Sequence, residues 1–333
     1  MKTILKHLFE GQTFSKEESK QVLVDLALGK YNTSQMAAFM TAYCMRSITV
    51  DELEGFRDGM LELCLQVSLP SDQLIDLCGT GGDGKDTFNI STLSSFVVAG
   101  AGYKVSKHGN YGVSSTCGSS NVMEYLGYRF VNDQDSLNRS LDEANICFLH
   151  APLFHPAMKT VAPIRKELGV KTFFNMLGPM VNPAKPKFQS VGVFSLELAR
   201  LYAYLYQKTD KHYMIIHTLS GYDEISLTDP FKVFSNNGEA LYNPEVFGGT
   251  LNAQDLTGGE TIAESATIFM NVLNTECTLA QQKAVLANSA MSIKCLEEGK
   301  TLEECYAIAE DSLLGKKALD SFKKLLNSQP VTA

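Results

Sequence analysis

Residues 74–78, Leu-Ile-Asp-Leu-Cys, form a short apolar run that ends in Gly79-Thr-Gly-Gly-Asp-Gly84, and a helical apolar pattern resumes near Ser91. This order of strand, glycine loop and helix constrains the fold more than any other feature. Similar runs recur at 103–107, 146–151, 188–194 and 213–218, separated by helical stretches such as 196–207. Such alternation predicts an α/β fold with a mostly parallel central sheet and helices on its faces.

The first 66 residues carry helical signals only. Ser15 with Glu18 and Thr49 with Glu52 form S/T-x-x-E capping boxes ahead of apolar residues at helical spacing. Leu23 and Leu26 make one inner stripe, and Leu53, Phe56, Met60 and Leu63 another. After Asp255 the pattern is again helical, at 279–296, 301–314 and 316–326. A chain of 333 residues suits two domains.

Composition removes several classes. Lys plus Arg total 29 against 37 Asp plus Glu, a net charge of -8, which argues against a basic nucleic-acid surface. The eight cysteines include no CxxC pair, so they read as reduced thiols and not as a zinc site. Apolar windows such as 96–102 fall short of the ~20 residues of a spanning helix, and the start MKTILKHLFEGQ lacks a signal core. A cytoplasmic protein without membrane or nucleic-acid partners is the expectation.

Two nucleotide motifs almost fit the glycine loop. It matches GxGxxG literally, but the helix begins late and no acidic residue near position 100 is placed for a ribose hydroxyl. It nearly matches a P-loop, but Asp86 stands where a magnesium-binding Ser or Thr is needed. A phosphate or diphosphate cradle remains, with Asn89, Ser91 and Thr92 beside a helix N-terminus; a ligand-free tight connection is the alternative. A second polar cluster, Lys107-His108-Gly109-Asn110 with Ser114, Ser115, Gly118, Ser119 and Ser120, follows the next strand. In an open parallel sheet both loops should face one crevice.

Two further segments carry chemistry. Residues 155–168, opening His155-Pro156-Ala-Met, read as one helix that Pro163 kinks, with Arg165 on the inward stripe of Met158, Val161 and Leu168. An inward arginine needs a carboxylate, from the protein or from a ligand. Residues 174–183 then break regular structure. Asp223 and Glu224 follow the strand ending near Thr218; they are either a solvated turn or, beside a phosphate cradle, holders of magnesium.

In joint order and spacing the chain resembles the anthranilate phosphoribosyltransferases. The likeness rests on Cys78-Gly-Thr-Gly-Gly-Asp-Gly84, Thr87-Phe-Asn-Ile-Ser-Thr92, Lys107-His-Gly-Asn110, His155-Pro-Ala-Met158, Phe174-Asn-Met-Leu-Gly-Pro179 and Asp223-Glu-Ile-Ser226, and spans nearly the whole chain. It implies the nucleoside phosphorylase type of fold: a small helical domain, 1–70, joined by a segment near 165–187 to an α/β domain, 71–333, in a homodimer. It also implies transfer of a phosphoribosyl group from 5-phosphoribosyl 1-diphosphate (PRPP) to anthranilate.

Carried over by motif, Gly79, Gly82, Asp83, Thr87, Asn89, Ile90, Ser91 and Thr92 would contact PRPP, as would Lys107, His108, Gly109, Asn110, Tyr111, Gly112, Val113, Ser114, Ser115 and Ser119. Gly79, Asn110 and Arg165 would contact anthranilate; Ser91, Asp223 and Glu224 would hold Mg2+; no general base is assigned. The family pattern often has Arg where this chain has Tyr111, and Ala-Asp where it has Ser120-Asn121. Two other functions fit the sequence less well. A pyrimidine nucleoside phosphorylase would carry a Lys-His-Ser-Thr-Gly-Gly string that is missing here, and a non-catalytic nucleic-acid-binding paralogue sits poorly with the negative charge.

Overall fold

Polar side chains start the helices near the N-terminus. Ser15 Oγ accepts from Glu18 N at 3.2 Å and Glu18 Oε2 accepts from Ser15 N at 2.9 Å, which begins helix Lys16–Ala27. Thr49 and Glu52 do the same for helix Val50–Leu63. Asn32 and Gln35 form a third box ahead of helix Thr33–Cys44, which an S/T-x-x-E search passes over because both side chains are amides.

The computed structural model describes residues 1–112 and 117–329. The helical unit comprises Met1–Gln66 and Ala151–Pro183. The return segment thus begins at Ala151, earlier than the joint expected near 165, because its side chains complete the helical core. Phe56 stacks on Phe173 at 4.5 Å, and Phe39 and Tyr43 meet both edge-on. Leu23, Leu26, Leu53 and Met60 are buried as the stripes require, while Leu63 is half-buried at its helix end.

The expected kinked helix over 155–168 is instead two elements, a 3-10 helix Pro156–Thr160 and an α-helix Ala162–Leu168. Pro163 lies in the first turn of the second helix, where its missing N–H costs no hydrogen bond. It therefore starts a helix and does not bend one.

The α/β unit, Val67–His150 and Ala184–Ala333, is built on a seven-stranded sheet. Its strands are β1 (Leu74–Gly79), β2 (Lys104–Gly109), β3 (Ile146–His150), β4 (Phe188–Gly192), β5 (His212–Thr218), β6 (Phe231–Ser235) and β7 (Gly238–Tyr242). The order is β3-β2-β1-β4-β5-β6-β7; the first five strands run parallel, and β6 runs antiparallel to both β5 and β7. β1 and β4 pair through to Gly79 opposite Gly192. From β1 the chain winds outward on one side, and from β4 on the other, so the crevice beyond these carboxyl ends is the topological switch point where ligands of open α/β sheets bind.

Helix Ile90–Gly100 packs against helices Leu279–Leu296, Leu302–Leu314 and Lys317–Asn327, with Phe96 against Phe322 at 5.3 Å. The β6–β7 hairpin escaped the sequence reading, although Phe231 and Val233 alternate and Asn236-Asn237-Gly238 is a turn signal. Among the described residues no helix is long and apolar enough to cross a membrane.

Candidate active site

At the end of β1 the glycine loop turns through left-handed backbone at Gly81, Gly82 and Gly84, with φ of 63°, 75° and 72°. The loop is tied at both ends. Thr80 N donates to Gly192 O at 3.0 Å, and Phe88 N and Gly258 N bond to Leu256 O and Asp86 O at 3.0 and 2.8 Å. Helix Ile90–Gly100 follows Asn89, whose side chain donates to Cys117 O at 3.1 Å and so links this loop to the one after β2.

The acidic loop after β5 reaches back over the glycine loop. Gly81 N donates to Asp223 Oδ2 at 2.6 Å, Thr87 Oγ1 to Glu224 Oε2 at 3.1 Å, and Ser91 N to Glu224 Oε1 at 3.2 Å. This approach requires bare strand ends. A Cβ at Gly192 would lie 1.4 Å from Asp223 O, and one at Gly79 would lie 2.5 Å from Asp223 Oδ2. From behind, Asn288 of helix Leu279–Leu296 accepts from Ile225 N at 3.0 Å and donates to Ile225 O at 2.9 Å.

Among the described residues no ammonium or guanidinium pairs directly with these carboxylates; Lys107 meets Glu224 only through its field. Burial, then the neighbouring Asp83, pushes Asp223 up to about 7, while the Gly81 N–H opposes the shift. Burial and the charges of Asp223 and Asp83 push Glu224 well above the usual carboxylate range. Asp83 Oδ1 accepts from Lys85 N at 3.1 Å, whereas its Oδ2 is buried with no hydrogen-bond donor among the described residues. Three converging acids with an unsatisfied oxygen fit a divalent cation. Among the described residues no three His, Cys, Asp or Glu side chains are placed to chelate a metal by themselves, so oxygens of a phosphorylated ligand would complete its shell.

The remaining PRPP candidates divide by exposure. Ile90 and Thr92 point into the core, so a ligand could reach only their backbone. Lys107 is likewise buried, and its ammonium donates to Leu77 O at 2.6 Å; burial pulls its pKa below the ordinary lysine range against the charges of Asp76, Cys78 and Glu224. Its ammonium is thus held on the β1 backbone beneath the crevice. His108 is buried, with its backbone N–H on Asp76 Oδ1 at 3.1 Å. Asn110, Tyr111 and Gly112 are exposed, and Ser119 Oγ donates to Asn110 O at 3.3 Å. Val113, Ser114 and Ser115 lie outside the described residues.

In the helical unit, Arg165 is half-buried; its guanidinium donates to Asn175 Oδ1 at 3.4 Å and lies 5.4 Å over the Phe174 ring. Burial lowers its pKa, and among the described residues no carboxylate pairs with it. Nearby in sequence, burial drives His155 down to about 4, so it is neutral at pH 7.

The chain matches two family models, the glycosyl transferase family helical bundle domain over residues 2–64 and the glycosyl transferase family a/b domain over residues 71–319. It is 59% identical to an anthranilate phosphoribosyltransferase of Christiangramia forsetii, over 98% of each chain. The chain belongs to the anthranilate phosphoribosyltransferase family.

Solved members of the family share its fold. The Thermus thermophilus anthranilate phosphoribosyltransferase superposes with a TM-score of 0.90 at 30% identity, covering 97% of this chain and 98% of that one. The Saccharomyces cerevisiae enzyme in complex with PRPP and Mg gives a TM-score of 0.90 at 26% identity, covering 97% and 96%.

Where this chain departs from the anthranilate phosphoribosyltransferase pattern, the structure shows what the substitutes do. Asn121 Oδ1 accepts from Gly112 N at 2.9 Å and Gly118 N at 3.0 Å, closing the polar loop without a charge. Sequence reading missed Gly192 and Asn288, which shape the acidic loop. Gly192 ends a strand that was expected, so its neighbour Asp223 was the missing information. Asn288 carries a faint signal, a single amide in the small-residue run Ala-Asn-Ser-Ala.

Proposed function

We propose that this chain transfers the 5-phosphoribosyl group of PRPP to the amine of anthranilate, giving N-(5-phosphoribosyl)anthranilate and diphosphate, as a cytoplasmic homodimer that uses Mg2+. The supporting observation is the acidic loop held against the glycine loop by Gly81, Thr87 and Ser91, which sets anion donors and cation-seeking carboxylates within hydrogen-bonding distance. Anion-binding N–H groups alone would suit any phosphate; the paired acids select a ligand that arrives with a metal.

The glycine loop of residues 79–84 and the start of helix Ile90–Gly100 would hold the diphosphate, where negative charge grows as the ribose C1 to oxygen bond breaks. Ser91, Asp223 and Glu224 would hold Mg2+, which when bound neutralises charge on the leaving group. Lys107 adds a fixed positive charge that needs no reorganisation during the reaction. Asn110 and Arg165 orient anthranilate, Arg165 by forking its carboxylate, an acid that no described residue provides there. The aromatic amine is neutral near pH 7 and attacks C1 without prior deprotonation, so no side chain is assigned as a base.

Incubation with anthranilate, PRPP and Mg2+ should consume anthranilate and release one diphosphate per turnover. Unchanged anthranilate, or cleavage of a pyrimidine nucleoside at the expense of inorganic phosphate, would contradict the reading. Sedimentation of the purified chain tests the dimer.

A further inference from the structure

Two departures from the family pattern, Tyr111 and Ser120, meet on one residue. His150, the last residue of β3, is buried at 5% exposure, and its Nδ1 shares a 2.9 Å hydrogen bond with Ser120 Oγ. The Tyr111 ring stands edge-on to the imidazole at 4.7 Å, and Phe130 stacks behind it at 4.4 Å with 22° between the planes. Burial also keeps the imidazole pKa below its ordinary value, so the ring is a neutral partner at pH 7.

We infer that His150 is a positioning residue for the Asn110 loop, acting through Ser120 and Tyr111. The links are short. Ser120 N and Ser119 Oγ donate to Asn110 O at 3.2 and 3.3 Å, and Tyr111 N donates to Asn110 Oδ1 at 2.8 Å. Fixing residues 111 and 120 from one imidazole therefore fixes Asn110 from both sides. Tyr111 also reaches Glu124 with its hydroxyl at 3.4 Å, so the loop is held by aromatic contact and hydrogen bonds on the side where the family pattern often places an arginine. Phe130 closes the back of the imidazole, which leaves His150 one seat and gives the loop a rigid reference in the sheet.

This role rests on the functional reading for its kinetic consequence, because Asn110 is assigned there to anthranilate and, with Ser119, is expected from the family pattern to contact PRPP. Three variants separate the contacts. His150→Phe keeps the ring against Phe130 and Tyr111 but drops the bond to Ser120; His150→Asn keeps a polar atom for Ser120 but drops the ring; His150→Ala removes both. In His150→Ala the KM for PRPP and anthranilate should rise about tenfold while kcat falls less than about threefold, with the other two variants in between. Amide hydrogen exchange at residues 110–112 and 119–121 of the ligand-free protein should accelerate in the same rank. Wild-type KM values and exchange in folded His150→Ala, or a loss confined to melting temperature and kcat, overturn the inference. The exchange arm stands apart from catalysis: faster loop exchange in a chain without transferase turnover would keep the positioning role and discard the activity, whereas unchanged exchange rejects the role whatever the activity.

Discussion

Two sets of withdrawn carboxylates face opposite situations in the two units. Glu52 of the helical unit has no exposed surface, yet it accepts from Tyr43 Oη at 3.0 Å, from the N–H groups of Phe14 and Thr49 at 3.2 and 3.0 Å, and from both terminal nitrogens of Arg46. Burial pushes its carboxyl up, but Arg46 and these N–H groups outweigh burial and leave it below the usual range. Asp223 and Glu224 of the α/β unit receive backbone and hydroxyl donors, but among the described residues neither has a cation paired with it, and both rise. Burial is common to both. A structural acid brings its counter-charge within the fold, whereas on the proposed reading Asp223 and Glu224 leave that place to a ligand. The arginines repeat the contrast: Arg46 is paired with Glu52, and Arg165 has no carboxylate among the described residues.

The contrast breaks most sharply on the acidic loop. Replacing Asp223 by Asn and Glu224 by Gln together should lower turnover by on the order of 10²–10³-fold and flatten its Mg2+ dependence. Folding stability should hold or rise, since two buried acids whose ionisation is poorly compensated are removed. Superimposable curves of turnover against Mg2+ for wild type and variant would return the pair to an ordinary turn.

For Glu52 the effect moves from activity to stability. Glu52→Gln leaves Arg46 unpaired in a low-dielectric setting and is expected to cost about 3 kcal/mol in denaturant unfolding, with kcat per folded molecule unchanged. A stable Glu52→Gln protein with impaired kcat would reverse the assignment. A smaller and more selective effect is expected at Arg165. Arg165→Ala should raise the KM for anthranilate about ten- to a hundredfold, the worth of a charge-assisted hydrogen bond, and leave PRPP affinity as it was. Equal loss for both substrates in direct titrations would make the arginine structural.

Local chemistry made much of this legible in the sequence. The Ser15 and Thr49 caps, the apolar run into Gly79 and the periodic helix at Leu279–Leu296 are written in adjacent residues, and each forms where expected. Residue types at the site were visible for the same reason, since glycines and paired acids announce themselves. Long-range consequences were hidden. Nothing near Lys107 says that its ammonium will be spent on Leu77 O, or that Ile90 and Thr92 will face the core; both follow from how a helix and a strand rotate once packed. The early return at Ala151 was hidden likewise, because Phe173 reads as core only once Phe39, Tyr43 and Phe56 surround it.

If the acidic loop waits for a cation, ligand binding must release protons from it. In the ligand-free fold Asp223 keeps its proton up to about pH 7, above the value near 4 of an unfolded carboxyl. Its contribution to stability is therefore full below pH 4 and lost as pH rises through 7. A cation reverses the preference and displaces the proton. Calorimetry of PRPP with Mg2+ in buffers of different ionisation enthalpy, at pH 6.5 and 8.5, should show the wild type releasing more protons than the Asp223→Asn, Glu224→Gln variant at pH 6.5, with that excess shrinking at pH 8.5. Equal proton release from the two proteins at both pH values would contradict the account.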